Sequence, residues 1–276
     1  MIAKRQLLFG LHVDAVRMDD VINRCHAAVT TRKRLLLGVL NAAKVVKLRK
    51  NKILRDSMIE CDLLLADGQS VVWASRLLRR PLPERVAGID VFERLLQLAH
   101  RHSLSIALLG ATPEVVKEVD LIVSKRYLNL KIVYRHHGFY SADEASKIAG
   151  DIRSSQADML FLGITSPKKE IFLATYGSTL NVPVLHGVGG SFDIMAGLTA
   201  RAPVAWQRAG MEWAYRLLQE PRRLAWRYLT TNFAFIGLTL VEMLHPSSAF
   251  STHVRRTGER LARRLPTTQP HGGVDE

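Results

Sequence analysis

Cysteine is nearly absent from this chain: Cys25 and Cys61 are the only two in 276 residues. Two cysteines exclude a disulfide framework in a chain of this size, and neither has the CxxC spacing or neighbouring histidine of a zinc site. Both read as reduced core thiols of a cytoplasmic protein. Long apolar runs are missing too. The longest, such as Phe233 to Val241, fall far short of the roughly 20 residues that cross a bilayer as a helix, so no membrane-spanning segment is expected. Near the start, Lys4 and Arg5 precede an apolar stretch from Leu7 to Leu11, but His12 and Asp14 interrupt it before a secretory core of about 7–15 residues is reached. Glycine and proline number 18 and 10, too few for a collagen-like or wholly disordered chain. No Asp-x-Asp pair occurs, no His/Cys/Glu cluster offers a metal site, and no GxGxxG, Walker A or GxSxG motif is present. No internal repeat is visible.

What is present in excess is positive charge. Lys and Arg total 39 against 25 Asp and Glu, a net charge of +14 with an isoelectric point near 10.2, which favours a polyanionic partner. Half of the excess lies between Arg201 and Arg264, where eleven arginines face four glutamates and lysine is absent. Arginine binds phosphate oxygens in pairs through its planar fork, so this bias suits phosphate or anionic lipid headgroups; a solvated basic face is the plainer explanation.

With 47% hydrophobic residues, the chain is long enough to bury roughly 75% of its unfolded surface. Short runs apolar on both faces, at Leu35–Leu40, Asp62–Ala66, Ser105–Leu109, Lys131–Arg135, Asp158–Gly163 and Val182–His186, have the look of buried parallel strands. Helical spacing with start signals separates them. Asn41 precedes Ala42–Arg55, Thr112-Pro113-Glu114 opens a helix to about Tyr127, Ser141-Ala142-Asp143-Glu144 reads as a capping box, and Ser166-Pro167 precedes Lys168–Tyr176. This βαβ rhythm predicts an α/β domain over 1–200, with an open parallel sheet flanked by helices and a ligand crevice at the carboxyl ends of its strands. Beyond Gly197 the strand signals stop. Two helical stretches, about Val204–Gln219 and Arg222–Met243, predict an Arg/Trp-rich appendage over 201–245, and the Pro- and Gly-bearing tail over 246–276 has little to bury and is expected to be disordered. In the second stretch Trp226, Leu229, Phe233, Ile236 and Leu240 recur every three or four residues, a stripe that suits a membrane interface as well as it suits packing on the sheet domain.

Several residues carry candidate chemistry. Asp67 follows a strand and precedes Gly68-Gln69-Ser70, which puts a carboxylate at the ligand edge, either as a general base towards a hydroxyl or as a turn or N-cap residue. Asn41 stands at the equivalent edge of a neighbouring unit, to bind a sugar hydroxyl or cap the next helix. Arg85, in a loop before a helix that begins near Ile89, reads by position alone as a surface residue. The segment Gly187-Val188-Gly189-Gly190-Ser191-Phe192-Asp193 links a strand to a helix, and its glycines either admit a phosphate to the backbone N–H groups or make a tight connection.

Together several segments resemble the WecG/TagA/CpsF glycosyltransferases, glycosyltransferase family 26. The matching pieces are Leu40-Asn41-Ala42, Ala66-Asp67-Gly68, Glu84-Arg85-Val86-Ala87-Gly88-Ile89-Asp90, Leu109-Gly110-Ala111, Gly163 to Glu170 and Gly187 to Asp193. Most specific are Ala196 to Pro203, Gly210 to Leu218 and Glu220-Pro221-Arg222-Arg223. Order and spacing hold from about residue 7 to residue 230.

The resemblance implies a Rossmann-like α/β domain whose C-terminal helical appendage completes the active site and associates with the membrane. It implies an inverting, metal-independent transferase that moves a sugar from a UDP-sugar to a polyprenyl-diphosphate-linked saccharide at the inner face of the cytoplasmic membrane, in building a cell-surface polymer. On matching positions, Asp67 is the expected catalytic base, Asn41 and Arg85 line the donor and acceptor pocket, and Arg216, Arg222 and Arg223 hold the UDP diphosphate. Gly187, Gly189 and Gly190 belong to the same expected substrate site. The chain departs from the family pattern at Val39, commonly Thr, and at Lys169, commonly Gln. Both border the expected sugar pocket, so an N-acetylmannosamine donor is not assumed; losing a hydroxyl and gaining a cation suits a neutral hexose or a uronic acid. No cofactor is expected, and anionic lipid is the expected surface partner, while a second subunit could equally cover the apolar face of the appendage.

Two rivals come from other classes. A basic nucleic-acid-binding protein fits the charge, but tryptophans and an apolar stripe interleave the arginines and no recognised nucleic-acid-binding signature appears, so no nucleic-acid partner is expected. A nucleotide-sugar enzyme of another reaction, such as an NAD-dependent epimerase, is weakened by the failed dinucleotide fingerprint.

Overall fold

The computed structural model describes residues 4–250 other than residue 209, and their side chains apart from residues 208, 216, 222, 223, 224 and 227. The chain opens with an antiparallel hairpin, β1 (Arg5–Leu8) and β2 (Leu11–Asp14), turned at Phe9-Gly10. Sequence reading took this stretch only as a short apolar run, because each strand is four residues long. Buried Asp14 ties the hairpin down, accepting from Leu64 N at 2.8 Å and from Arg5 Nε at 3.0 Å.

Helix α1 (Met18–Thr31) then leads to the first sheet strand, β3 (Leu35–Leu40). The helix expected over 42–55 is two: α2 (Ala42–Lys47) and α3 (Lys52–Ile59). Asn51 accepts from Leu54 N at 2.9 Å and so starts a new helix where apolar spacing alone would run through. There follow β4 (Leu63–Ala66), α4 (Gln69–Leu77), α5 (Gly88–Arg101), β5 (Ser105–Gly110), α6 (Pro113–Arg126), β6 (Lys131–His136), α7 (Ala142–Ser154), β7 (Met159–Gly163), α8 (Lys168–Tyr176), β8 (Val184–Gly187) and α9 (Ser191–Met195). The sequence-predicted starts hold here: Thr112 caps α6, and Ser141 with Glu144 forms a capping box on α7.

The six strands β3 to β8 form one parallel sheet in the order β4-β3-β8-β7-β5-β6, the Rossmann-like α/β architecture expected. Two apolar clusters cover its faces. Alternation along each strand sends Leu36, Leu40, Leu64 and Ala66 to one cluster and Leu37, Leu63 and Leu65 to the other. Val45 and Leu48, at the end of α2, join the first cluster, whereas Phe192 of α9 joins the second. The connections leaving the neighbouring strands β3 and β8 thus depart to opposite faces, which opens a crevice between their carboxyl ends.

The appendage is helical, as expected, but its first helix is broken into α10 (Val204–Arg208) and α11 (Glu212–Gln219), followed by α12 (Pro221–Leu244). Gly210 lies in the break with φ +72°. Helix α12 docks through Phe235, Thr239 and Glu242, all buried, with Phe235 against Phe9 at 5.4 Å between ring centroids. Trp226, Leu229, Phe233, Ile236 and Leu240 lie instead on exposed faces, Trp226 at 74% and Phe233 at 68%. No helix among the described residues is long and apolar enough to cross a membrane. Residues 246–250 begin the stretch expected to be a tail. Phe250 packs back on the hairpin turn, its N–H bonding Gly10 O at 2.9 Å, and the remainder of the expected tail lies outside the described residues.

Candidate active site

Asp67 stands one residue past the end of β4, and its backbone N–H still bonds Leu40 O of β3 at 2.9 Å, which fixes it at the carboxyl edge. It does not cap the helix that follows it: Gly68 is the N-cap of α4 and makes no side-chain cap. Its carboxylate turns across the crevice instead. Oδ1 accepts from the N–H of Gly88, the first residue of α5, at 2.8 Å, and Oδ2 has a longer contact of 3.4 Å from Asn41 Nδ2. Of the two roles expected for Asn41, the structure shows the cap: it accepts from Lys44 N at 3.1 Å at the start of α2, while its amide nitrogen reaches Asp67.

The loop carrying Arg85 lies against the same edge because Val86 N bonds Ala66 O at 2.8 Å. Arg85 is not the surface residue that position alone implied, since its side chain is only 14% exposed. It pairs with Glu212 of α11 and, at 3.6 Å, with Asp90 of α5. Arg201 joins the same network, hydrogen-bonded to Asp90 and within 3.5 Å of Glu93 and 3.6 Å of Glu212. Burial works against the Arg201 charge, but the bond and charge of Asp90, with Glu93 and Glu212, hold its pKa above the usual value. Glu212 and Arg201 were missed as site-forming residues, because a tertiary ion-pair network has no local sequence signature. The appendage also touches the Asp67 turn directly: a Cβ on Gly210 would fall 2.4 Å from Cγ of Gln69.

On the other side of the crevice floor, Lys169 runs across the end of β8. A Cβ on Gly187 would lie 2.8 Å from its Cδ, so glycine makes room for this lysine. Lys169 Nζ is 3.3 Å from Glu170 Oε1, and both carboxylate oxygens of the buried Glu170 lack a hydrogen-bond partner. Lys44 donates to Val39 O at 2.7 Å, and burial followed by the charge of Lys169 pushes its pKa down to about 8, against the opposing charges of Glu170 and Asp67. Sequence reading passed over Lys44 as an ordinary helix residue. These groups border a small cleft that Leu36, Cys61 and Leu173 also line. The thiol of Cys61 is buried and free, as is that of Cys25, and burial pushes each up to about 12.

The glycine segment is a tight connection, with Ser191 N bonding Val188 O at 3.1 Å. Gly189 and Gly190 are nevertheless exposed, and a Cβ on Gly189 would meet nothing within 4 Å. Arg216 belongs to α11, and Arg222 and Arg223 to the start of α12, but their side chains lie outside the described residues. Among the described residues no three His, Cys, Asp or Glu side chains gather as a metal site.

Residues 6–249 match the profile of the Glycosyl transferase WecG/TagA/CpsF family. Among curated proteins the chain is similar to the N-acetylglucosaminyldiphosphoundecaprenol N-acetyl-beta-D-mannosaminyltransferases of Staphylococcus aureus strains MW2 and COL. Each is 33% identical over 165 residues, which span 60% of this chain and 64% of the relative.

Proposed function

The chain belongs to the WecG/TagA/CpsF family of glycosyl transferases, and from that premise we propose that it moves a sugar from a UDP-sugar to a polyprenyl-diphosphate-linked saccharide, with inversion and without metal, at the inner face of the cytoplasmic membrane. The names of the relatives support a lipid-diphosphate acceptor. The observation that carries the reading is the Asp67 carboxylate, held at the sheet's carboxyl edge by Gly88 N–H, with the arginine-rich appendage folded against its turn. Asp67 Oδ2 takes the proton of the acceptor hydroxyl as that oxygen bonds to the anomeric carbon, and the bond from that carbon to the UDP oxygen breaks on the opposite face. Arg216, Arg222 and Arg223 offset the charge that builds on the leaving diphosphate. The exposed turn at Gly189 and Gly190, following Gly187, offers backbone N–H groups to the same diphosphate. In this reading Asn41 and Arg85 line the donor and acceptor pocket, and Lys169 borders the neighbouring cleft at the end of β8.

The test is transfer from labelled UDP-sugars, spanning neutral, N-acetylated and uronic sugars, to lipid-diphosphate acceptors with EDTA present. Transfer from at least one donor is the expected result. No transfer, together with no binding of UDP, would defeat the reading.

The proposal includes membrane association, which the exposed apolar residues of α12 support. Burying one large apolar side chain contributes about 1.5–3 kcal/mol. Changing both Trp226 and Phe233 to Glu is therefore expected to cut binding to vesicles of phosphatidylglycerol and phosphatidylcholine by at least about tenfold. The melting temperature should hold, because both residues are more than two-thirds exposed. Unchanged flotation with the vesicles would place the membrane contact elsewhere.

A further inference from the structure

Among the described residues, His186 is a buried titratable group that the proposed reaction does not use. It is fully buried in β8, on the face it shares with Val184. Its Nε2 lies 2.9 Å from Gly88 O. A carbonyl only accepts, so Nε2 carries the proton and donates. Nδ1 is buried without a partner, which a neutral imidazole tolerates as a bare lone pair but an imidazolium does not. Burial drives the pKa of His186 down to about 4; the bond to Gly88 opposes this and the charges of Lys169 and Lys44 add to it.

Gly88 is where this contact matters. Its N–H holds Asp67 Oδ1 at 2.8 Å and its C=O receives His186, so the two peptide groups flanking one α-carbon are gripped from different strands. Glycine is the most permissive backbone residue, and the N–H of a first helical residue has no intrahelical partner. Space is close here too: a Cβ on Gly88 would sit tightly at 3.3 Å from Val39 Cγ1 and in ordinary contact with His186 Cε1 and Asp67 Oδ1, at 3.8 and 3.9 Å. The residue that orients the carboxylate is thus intrinsically soft. A buried side chain beneath it supplies the stiffness that its own backbone lacks.

We propose that His186 is a positioning residue for Asp67: by donating from Nε2 to Gly88 O it pins Gly88, whose N–H holds Oδ1 and leaves Oδ2 directed to the acceptor hydroxyl. The inference rests on Asp67 being the base. His186 touches no substrate and transfers no proton.

The test compares wild type with His186→Leu, His186→Gln and Asp67→Asn in the full chain, using a donor and acceptor that wild type turns over. Leu fills the space without a donor, and misplacement of the base should lower kcat by about 10- to 100-fold with KM for the donor within about threefold. Gln carries an amide donor at about the reach of Nε2 and should recover kcat to within about fivefold of wild type. Wild-type kcat in His186→Leu would overturn the proposal, as would equal impairment of the Leu and Gln variants, which marks a packing role. An active Asp67→Asn enzyme would instead defeat the reading of Asp67 as the base. A second measurement does not depend on folding of the variants or on activity: the ring ¹⁵N shifts of His186 in the wild-type protein should report a neutral Nε2–H tautomer. An Nδ1–H tautomer or an imidazolium at pH 7 would overturn the proposal.

Discussion

Asp67→Asn is expected to lower turnover by roughly 10²–10⁴-fold, the contribution typical of a positioned general base, while thermal unfolding stays close to that of wild type. Stability should survive because asparagine has the size of aspartate and keeps a side-chain oxygen able to accept from Gly88 N–H, the shorter of the two polar contacts of Asp67. What is lost is the basic oxygen facing the crevice. Steady-state transfer and a thermal melt on the same preparation decide the matter. A variant that unfolds would show that the contact with Gly88 is structural first, and one with wild-type turnover would remove Asp67 from the reaction.

The second large effect is expected at Arg201, which catalysis does not touch directly. Arg201→Ala removes one cation from among Asp90, Glu93 and Glu212 and leaves Arg85 as the one cation facing both Asp90 and Glu212. Breaking a fully buried pair from one side costs about 3–5 kcal/mol and an exposed one at most about 1, and these side chains, 20–38% exposed, fall between, at about 2 kcal/mol. That cost falls on docking of the appendage, since Arg201 and Glu212 lie after the sheet domain and Asp90 and Glu93 belong to α5. The expected outcome is faster proteolytic cleavage between residues 201 and 245, at least about tenfold lower transfer, and an α/β domain whose melting changes little. Arg201→Lys, which keeps the charge but not the planar fork, should fall between. Unchanged cleavage and transfer would mean that contacts such as Gly210 on Gln69 hold the appendage without the ion pairs.

Much of the fold was legible along the chain because local physics wrote it there. Leu35–Leu40 was read with the bounds it has, and α8 with its start at Lys168, since an apolar run and a Ser-Pro start leave few alternatives. The errors came where a local competitor outweighed periodicity. Asn51 split one expected helix and Gly210 another, and the β1–β2 hairpin was too short to show alternation. The site was legible in part. Asp67 and Asn41 were found because strand ends mark the ligand edge, but whether Asp67 merely capped its own helix depended on where its carboxylate turns, and it turns to α5. His186 had a faint signal, a histidine closing an otherwise apolar strand, with no means of saying what it met.

By itself, then, the sequence determined the α/β class, the arginine-rich appendage and the strand-end position of the carboxylate, which follow from composition, period and order along the chain, while its motifs carried the resemblance to the family. The tertiary structure alone decided that Asp67 is held by Gly88, that Arg85 is paired with Glu212, and that Lys169 lies over Gly187. Each of these contacts joins residues from 18 to 127 positions apart. Partnership at that separation is set by how strands are ordered in the sheet and which face each helix covers, and no local propensity encodes it.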